Sequence, residues 1–95
     1  MQIRWTKLAE QDLESVEEYI ATDNPKAAIN IILYIINQIE ELLPRNPAIG
    51  RAGRVTGTRE LIIPDYPYIV PYRVKDNNIE ILRVLHTSRK WPKRF

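Results

Sequence analysis

Ile79-Glu80-Ile81-Leu82-Arg83-Val84-Leu85-His86-Thr87-Ser88-Arg89-Lys90-Trp91-Pro92 is the stretch that decides the fold. Its first half is apolar at Ile79, Ile81, Leu82, Val84 and Leu85, the pattern of a strand covered on both faces. The run ends in the only histidine, His86, followed by Arg89, Lys90 and Trp91. A hydrophobic strand that carries cations to its end and just beyond suggests a sheet supporting a polyanion-facing surface. The plainer reading is a central strand with a solvated basic tail.

Two further strand candidates precede it. Thr58–Ile63 stops at Pro64, and Tyr68–Val74 follows the turn Pro64-Asp65-Tyr66-Pro67. Lys75-Asp76-Asn77-Asn78 then leads into the last strand, Ile79–Leu85, because Asp and Asn tolerate turn geometry. These spacings predict an antiparallel meander. Pro71 cannot donate to a ladder, so it demands a bulge or an unpaired position.

Upstream, Ile3 and Trp5 alternate with polar residues, which makes Met1–Trp5 a short strand. Thr6 is a hydroxyl cap for a helix over Lys7–Ala21, with Ala9, Leu13, Val16 and Ile20 as its buried stripe. Glu10, Gln11, Glu14, Glu17 and Glu18 form a solvated face. Asn24 caps a second helix, Pro25–Leu43, and Pro25 suits its first position, where the missing N–H has no partner to lose. Ala28, Ile32, Ile35, Ile39 and Leu42 are its inner stripe. Ile29, Ile31, Leu33 and Ile36 widen the apolar surface; the first helix is expected to cover that excess, the alternative being that another chain buries part of it. Pro44–Pro47 ends the helix. Gly50, Gly53 and Gly57 follow among Arg51 and Arg54, either to make turns or to let the backbone approach an anion.

The chain of 95 residues is sized for one domain spanning 1–95. The absence of cysteine excludes disulfides and thiolate metal sites, and a single histidine argues against zinc. No secretory leader or membrane span is legible, so a soluble cytoplasmic protein is expected. The net charge of +2 is unevenly divided. Residues 1–43 carry three Lys or Arg against eight acids, a net of −5, and residues 44–95 carry eleven against four, a net of +7. That asymmetry suggests a basic partner-facing half on an acidic support.

Strand alternation places Arg59 with Leu61 and Ile63, Arg73 with Ile69, and Arg83 with Ile79, Ile81 and Leu85. All three arginines are therefore candidates to converge on the sheet face opposite the helices. An ion pair with Glu60, Asp65 or Glu80 is the structural alternative for each one. Histidine is the side chain that titrates near neutrality unperturbed, so His86 is the candidate proton carrier, or else a hydrogen-bonded residue closing a strand. No Ser/His/Asp or Cys/His set is present.

The chain resembles the RelE/ParE superfamily of bacterial toxins. The resemblance rests on Asn24-Pro25 between the helices, Gly50-Arg51 with Gly53-Arg54, and Gly57-Thr58-Arg59-Glu60-Leu61. Tyr68-Ile69-Val70-Pro71-Tyr72-Arg73-Val74 and Leu82–Arg89 complete it. It implies an α+β fold, β-α-α-β-β-β, with a helical hairpin on one face of a mainly antiparallel sheet. It also implies a type II toxin with no cofactor or metal, associated with growth inhibition and plasmid stabilisation. Its implied partner is an acidic antitoxin, partly disordered until bound, with which it can form an oligomer. The ParE branch implies a poison of DNA gyrase with no catalytic site of its own, and Leu85-His86 with Arg89 matches that branch. The RelE branch implies a metal-independent ribonuclease acting on mRNA in the ribosome, with Arg54, Arg59, Arg83, His86 and Arg89 as its working set. Thr87 stands where that set wants an arginine, and Trp91 stands near where it wants a tyrosine. The ParE reading therefore leads. A non-toxic binding domain that retains the fold is the third possibility. Target or antitoxin contacts are expected at Arg51, Arg54, Arg59, Arg73, Arg83, His86, Arg89, Lys90 and Trp91.

Overall fold

The computed structural model describes residues 1–95. In chain order the elements are β1 (Gln2–Trp5), α1 (Lys7–Ala21), α2 (Pro25–Leu42), β2 (Arg51–Ala52), β3 (Arg59–Ile62), β4 (Tyr68–Lys75), β5 (Asn78–Ile81) and β6 (Leu85–His86). The six strands form one sheet in the order β1-β5-β4-β3-β2, and β6 also pairs with β4. Only β1 and β5 run parallel; the remaining pairs are antiparallel. The fold is thus the expected α+β arrangement, with the N-terminal strand β1 beside β5.

Local chemistry sets the element ends. Thr6 Oγ1 accepts the Ala9 N–H at 3.2 Å, and Asn24 Oδ1 accepts the Ala27 N–H at 3.1 Å, so both expected caps form. Pro25 opens α2. The β4–β5 hairpin turns on Asp76 and Asn77, at φ 51° and 62°. Both central residues of a two-residue loop with the twist of the strands need positive φ, and Asp and Asn tolerate it.

The two helices share one core with one face of the sheet. Ala9, Ile35 and Ile39 meet Leu61, Val70, Tyr72, Ile79 and Ile81 in a single buried cluster. Ile35, Ile39, Ile79 and Ile81 are all 0% exposed. Burying each such side chain contributes about 1.5–3 kcal/mol. α1 does not cover all the apolar excess of α2: Ile31 and Ile36 are half-buried, but Ile29 and Leu33 stay exposed. No helix is long and apolar enough to cross a membrane.

The stretch Ile79–Leu85 is not one strand. It breaks at Leu82–Val84, and both the Leu82 and the Arg83 N–H point at the Pro71 carbonyl, at 2.9 and 3.4 Å. Pro71 has no N–H to offer on that side, and of the two expected outcomes, a bulge or an unpaired position, the facing strand takes the bulge. The bulge shifts the alternation by one residue. Ile79 and Ile81 face the helices before it, and Val84 joins the same core after it. Leu85 instead pairs with Ile69. The continuous apolar run therefore reflects a change of phase, not a strand buried evenly on both faces; Glu80 is only half-buried.

Candidate functional site

The bulge builds the site. It releases the Val84 N–H from the ladder, and Asp12 of α1 accepts it through Oδ2 at 2.9 Å. Asp12 also takes a bidentate pair from Arg83, Nε to Oδ2 at 2.7 Å and Nη2 to Oδ1 at 3.1 Å. This hydrogen bond to Asp12 holds the Arg83 guanidinium above its ordinary pKa. Thr6 Oγ1 donates to the carbonyls of Ile81 and Leu82, at 2.8 and 3.1 Å. The irregular backbone is thus tied to the start of α1 at several points.

Beyond the bulge lies a cleft of about 350 Å³ between α1 and β6, lined in part by Asp12, Val16, Tyr19, Tyr68, His86 and Arg89. The Ser88 N–H donates to His86 Nδ1 at 3.1 Å, which leaves the proton of the neutral imidazole on Nε2. The ring meets Tyr68 edge-on, with centroids 5.4 Å apart. A second cleft of about 410 Å³ lies between Arg83, Arg89, Lys90, Trp91 and Lys93. The guanidinium of Arg54 sits over the Trp91 ring, 4.1 Å from its centroid. Arg54, Arg83, His86, Arg89, Lys90 and Trp91 therefore gather at the C-terminal end of the sheet.

The other candidates do not join them. Cross-strand partners share a face, and Arg59 lies opposite Tyr72 while Arg73 lies opposite Glu80. Tyr72 belongs to the helix-side core, and neighbouring residues of β4 alternate faces, so Arg59 and Arg73 are on opposite sides of the sheet. Arg83 sits in the bulge. The three arginines do not converge. Arg59 instead donates to the carbonyls of Ala48 and Gly50, at 3.3 and 2.9 Å. Arg73 pairs with Glu80. Arg51 pairs with Glu60, at 3.1 Å from Nε and 3.0 Å from Nη2.

Asp12, Glu60 and Tyr72 hold the site in place. Asp12 is 8% exposed and Glu60 is 1% exposed. Asp12 stands three residues after Ala9 and four before Val16, so its place on the apolar stripe is visible in the helical period. Glu60 gives no such signal between Arg59 and Leu61. Tyr72 donates its hydroxyl to the Pro47 carbonyl at 2.6 Å and accepts the Gly50 N–H at 2.9 Å. Burial raises its pKa, which keeps the phenol a donor. A Cβ on Gly50 would stand 2.7 Å from the Tyr72 ring and hydroxyl, so this glycine serves an approach within the protein.

A two-helix hairpin on one face of a largely antiparallel sheet, with cations gathered at the sheet's C-terminal end, defines a small α+β domain of the RelE/ParE type. The profile of the "ParE toxin of type II toxin-antitoxin system, parDE" matches residues 3–91. The chain belongs to this ParE toxin family. It is 42% identical over 90 residues to Y4kP of Sinorhizobium fredii, named there as a candidate toxin, covering 95% of this chain and 92% of that one. It is 31% identical over 88 residues to toxin RelE2 of Caulobacter vibrioides, covering 93% and 97%. A chain from the chromosomal ParDE system of P. aeruginosa superposes with a TM-score of 0.86 at 30% identity, covering 93% and 97%. A chain from the RelBE2 toxin–antitoxin complex of Mycobacterium tuberculosis shares the fold, with a TM-score of 0.65 at 24% identity, covering 90% and 95%.

Proposed function

We propose that this protein is a growth-inhibiting toxin that poisons DNA gyrase in the cytoplasm and is neutralised by a cognate antitoxin. One observation carries the choice of target. The basic groups that a ribonuclease would need around one phosphate are already engaged elsewhere. Arg83 is held by Asp12, and Arg59 is turned to the Ala48 and Gly50 carbonyls. One face of Trp91, the aromatic best placed to stack on a base, is covered by Arg54. His86 and Arg89 then act as contact residues, with Lys90, Trp91 and Arg54 around them and Arg51 as a separate contact residue on the Glu60 loop. The antitoxin is an acidic segment that orders on binding and answers the net +7 of residues 44–95.

A second reading has its own support. The likeness to toxin RelE2 and the basic cleft that shares Arg89 with the cleft lined by His86 suit ribosome-dependent mRNA cleavage. There the 2′-hydroxyl would lose its proton to solvent and attack the adjacent phosphorus, the P–O5′ bond would break to leave a 2′,3′-cyclic phosphate, Arg54 and Arg89 would stabilise the phosphoryl oxygens, and His86 would give its proton to the departing 5′-oxygen.

Gyrase supercoiling and programmed-ribosome cleavage assays, run side by side on purified protein, separate the two. We expect cleaved DNA trapped with gyrase, intact mRNA, and only partial loss of toxicity in His86→Ala. Ribosome-dependent cleavage that falls about 10²–10⁴-fold in His86→Ala would establish the nuclease instead.

A further inference from the structure

The cleft between α1 and β6 presents polar groups that nothing in the protein answers. Asp12, Val16 and Tyr19 stand at steps of four and three on α1 and share its face toward the cleft. Asp12 is already occupied: its carboxylate accepts two bonds from Arg83 and one from the Val84 N–H. Tyr68 forms part of the opposite wall. It is 6% exposed, yet no protein group hydrogen-bonds its hydroxyl. Burial raises its pKa and the neighbouring Tyr19 adds to the rise, so the phenol keeps its proton at neutral pH. A buried phenol normally finds a partner, and this one has only the cleft to find it in. His86 brings a second free donor: its Nδ1 accepts the Ser88 N–H, which leaves the Nε2–H unused. Arg89 is the third, with a side chain 56% exposed and one long contact, 4.0 Å to Asp12.

We propose that this cleft binds a small aromatic phosphate, of the size and chemistry of a nucleoside monophosphate. Tyr68, His86 and Arg89 come from three different segments and all donate, so the cleft calls for an acceptor. A carboxylate offers two oxygens. A phosphate monoester offers three, with close to two negative charges at neutral pH, and can take one bond from each donor. Tyr19 sets the other half of the ligand. It is 79% exposed and packs on no other ring, so it is open as a stacking platform at the rim, with Val16 and Val84 as apolar wall. The volume of about 350 Å³ is at the lower end for small-ligand sites and suits one ring and one phosphate, not an oligonucleotide. The ligand is a free small molecule, so its binding is independent of whether the toxin's target is gyrase or the ribosome.

The single histidine makes the test direct, because the imidazole NMR signals all belong to His86. The probes are adenosine monophosphate, adenosine and inorganic phosphate, titrated into the full chain at neutral pH. Adenosine monophosphate should move the His86 signals to a saturating plateau, and adenosine and phosphate should each bind roughly tenfold more weakly or worse. Tyr68→Phe keeps the ring against His86 and removes only the hydroxyl. It should weaken the nucleotide about tenfold, the loss of one hydrogen bond to a charged acceptor. Arg89→Gln should weaken the nucleotide and inorganic phosphate alike. Tyr19→Ala should bring the nucleotide down to the affinity of inorganic phosphate while leaving phosphate itself unchanged. Unchanged unfolding midpoints show that the variants fold. Signals that stay fixed at millimolar nucleotide, adenosine or inorganic phosphate binding as well as the nucleotide, or nucleotide binding unmoved by Tyr68→Phe or by Tyr19→Ala would each overturn the proposal.

Discussion

Asp12 and Glu60 are two buried carboxylates solved in the same way with different reach. Each accepts from an arginine and from one backbone N–H, Val84 for Asp12 and Arg54 for Glu60. Each holds a piece of backbone that has left regular structure. Glu60 closes a local loop, since Arg51 and Arg54 stand nine and six residues before it. Asp12 joins positions 71 and 72 residues apart, and so fastens the first helix to the bulge in the last strands. The arginines differ too. Arg83 has a side chain only 15% exposed, whereas those of Arg51 and Arg54 are 50% and 48% exposed. Identical hydrogen-bond chemistry therefore carries different consequences, set by what remains buried when one partner is lost.

The largest effect should come from Asp12→Ala. It strands a mostly buried guanidinium and the Val84 N–H together, and breaking a buried pair from one side costs about 3–5 kcal/mol. Denaturant unfolding measures this, and a loss under about 1 kcal/mol would erase the contrast between the two sites. Asp12→Ala should also loosen the cleft beside His86 without touching His86 itself.

Glu60→Ala should be milder, about 1–3 kcal/mol. Its arginines are half-exposed and would turn to water, leaving chiefly the Arg54 N–H without an acceptor. Hydrogen exchange should accelerate at the Gly53 and Arg54 amides and stay unchanged at Val84. Faster exchange at Val84 as well would mean that the two networks are coupled, not parallel.

The comparison also explains what the sequence made legible. The caps, both helices, the hairpin turn and the need for a bulge or an unpaired position at Pro71 follow from local rules, and each was readable at its own residues. The consequence of that bulge was not. A one-residue shift in phase moved Arg83 off the face assigned to it and handed it to Asp12, a partner at the other end of the chain. Alternation held for Arg59 and Arg73 within their own strands. Their relative faces depended on register, which only the paired strands reveal. His86, Arg89, Lys90 and Trp91 were visible as a cluster because they are close in sequence. Arg54 joined them only through the fold.

The smallest expected effect lies at an ion pair that neither carboxylate network includes. Glu80 lies opposite Arg73 on one side and Arg4 on the other, in register across three strands. The hydrogen bond from Arg73 is the main reason its carboxyl is held below the ordinary value of 4.5, with Lys75 and Arg4 adding to the field. A depressed acid contributes stability that is complete above its ordinary pKa and is lost as pH falls through the lower folded value. The stability difference between the wild type and Glu80→Gln should therefore be constant at neutral pH, begin to shrink below about pH 4.5 and vanish in stronger acid. Added salt should shrink it as well, because the pair lies near solvent. Asp12→Asn, with its buried partners, should keep most of its deficit in salt. If salt removed both deficits equally, burial would not be what separates the two kinds of carboxylate.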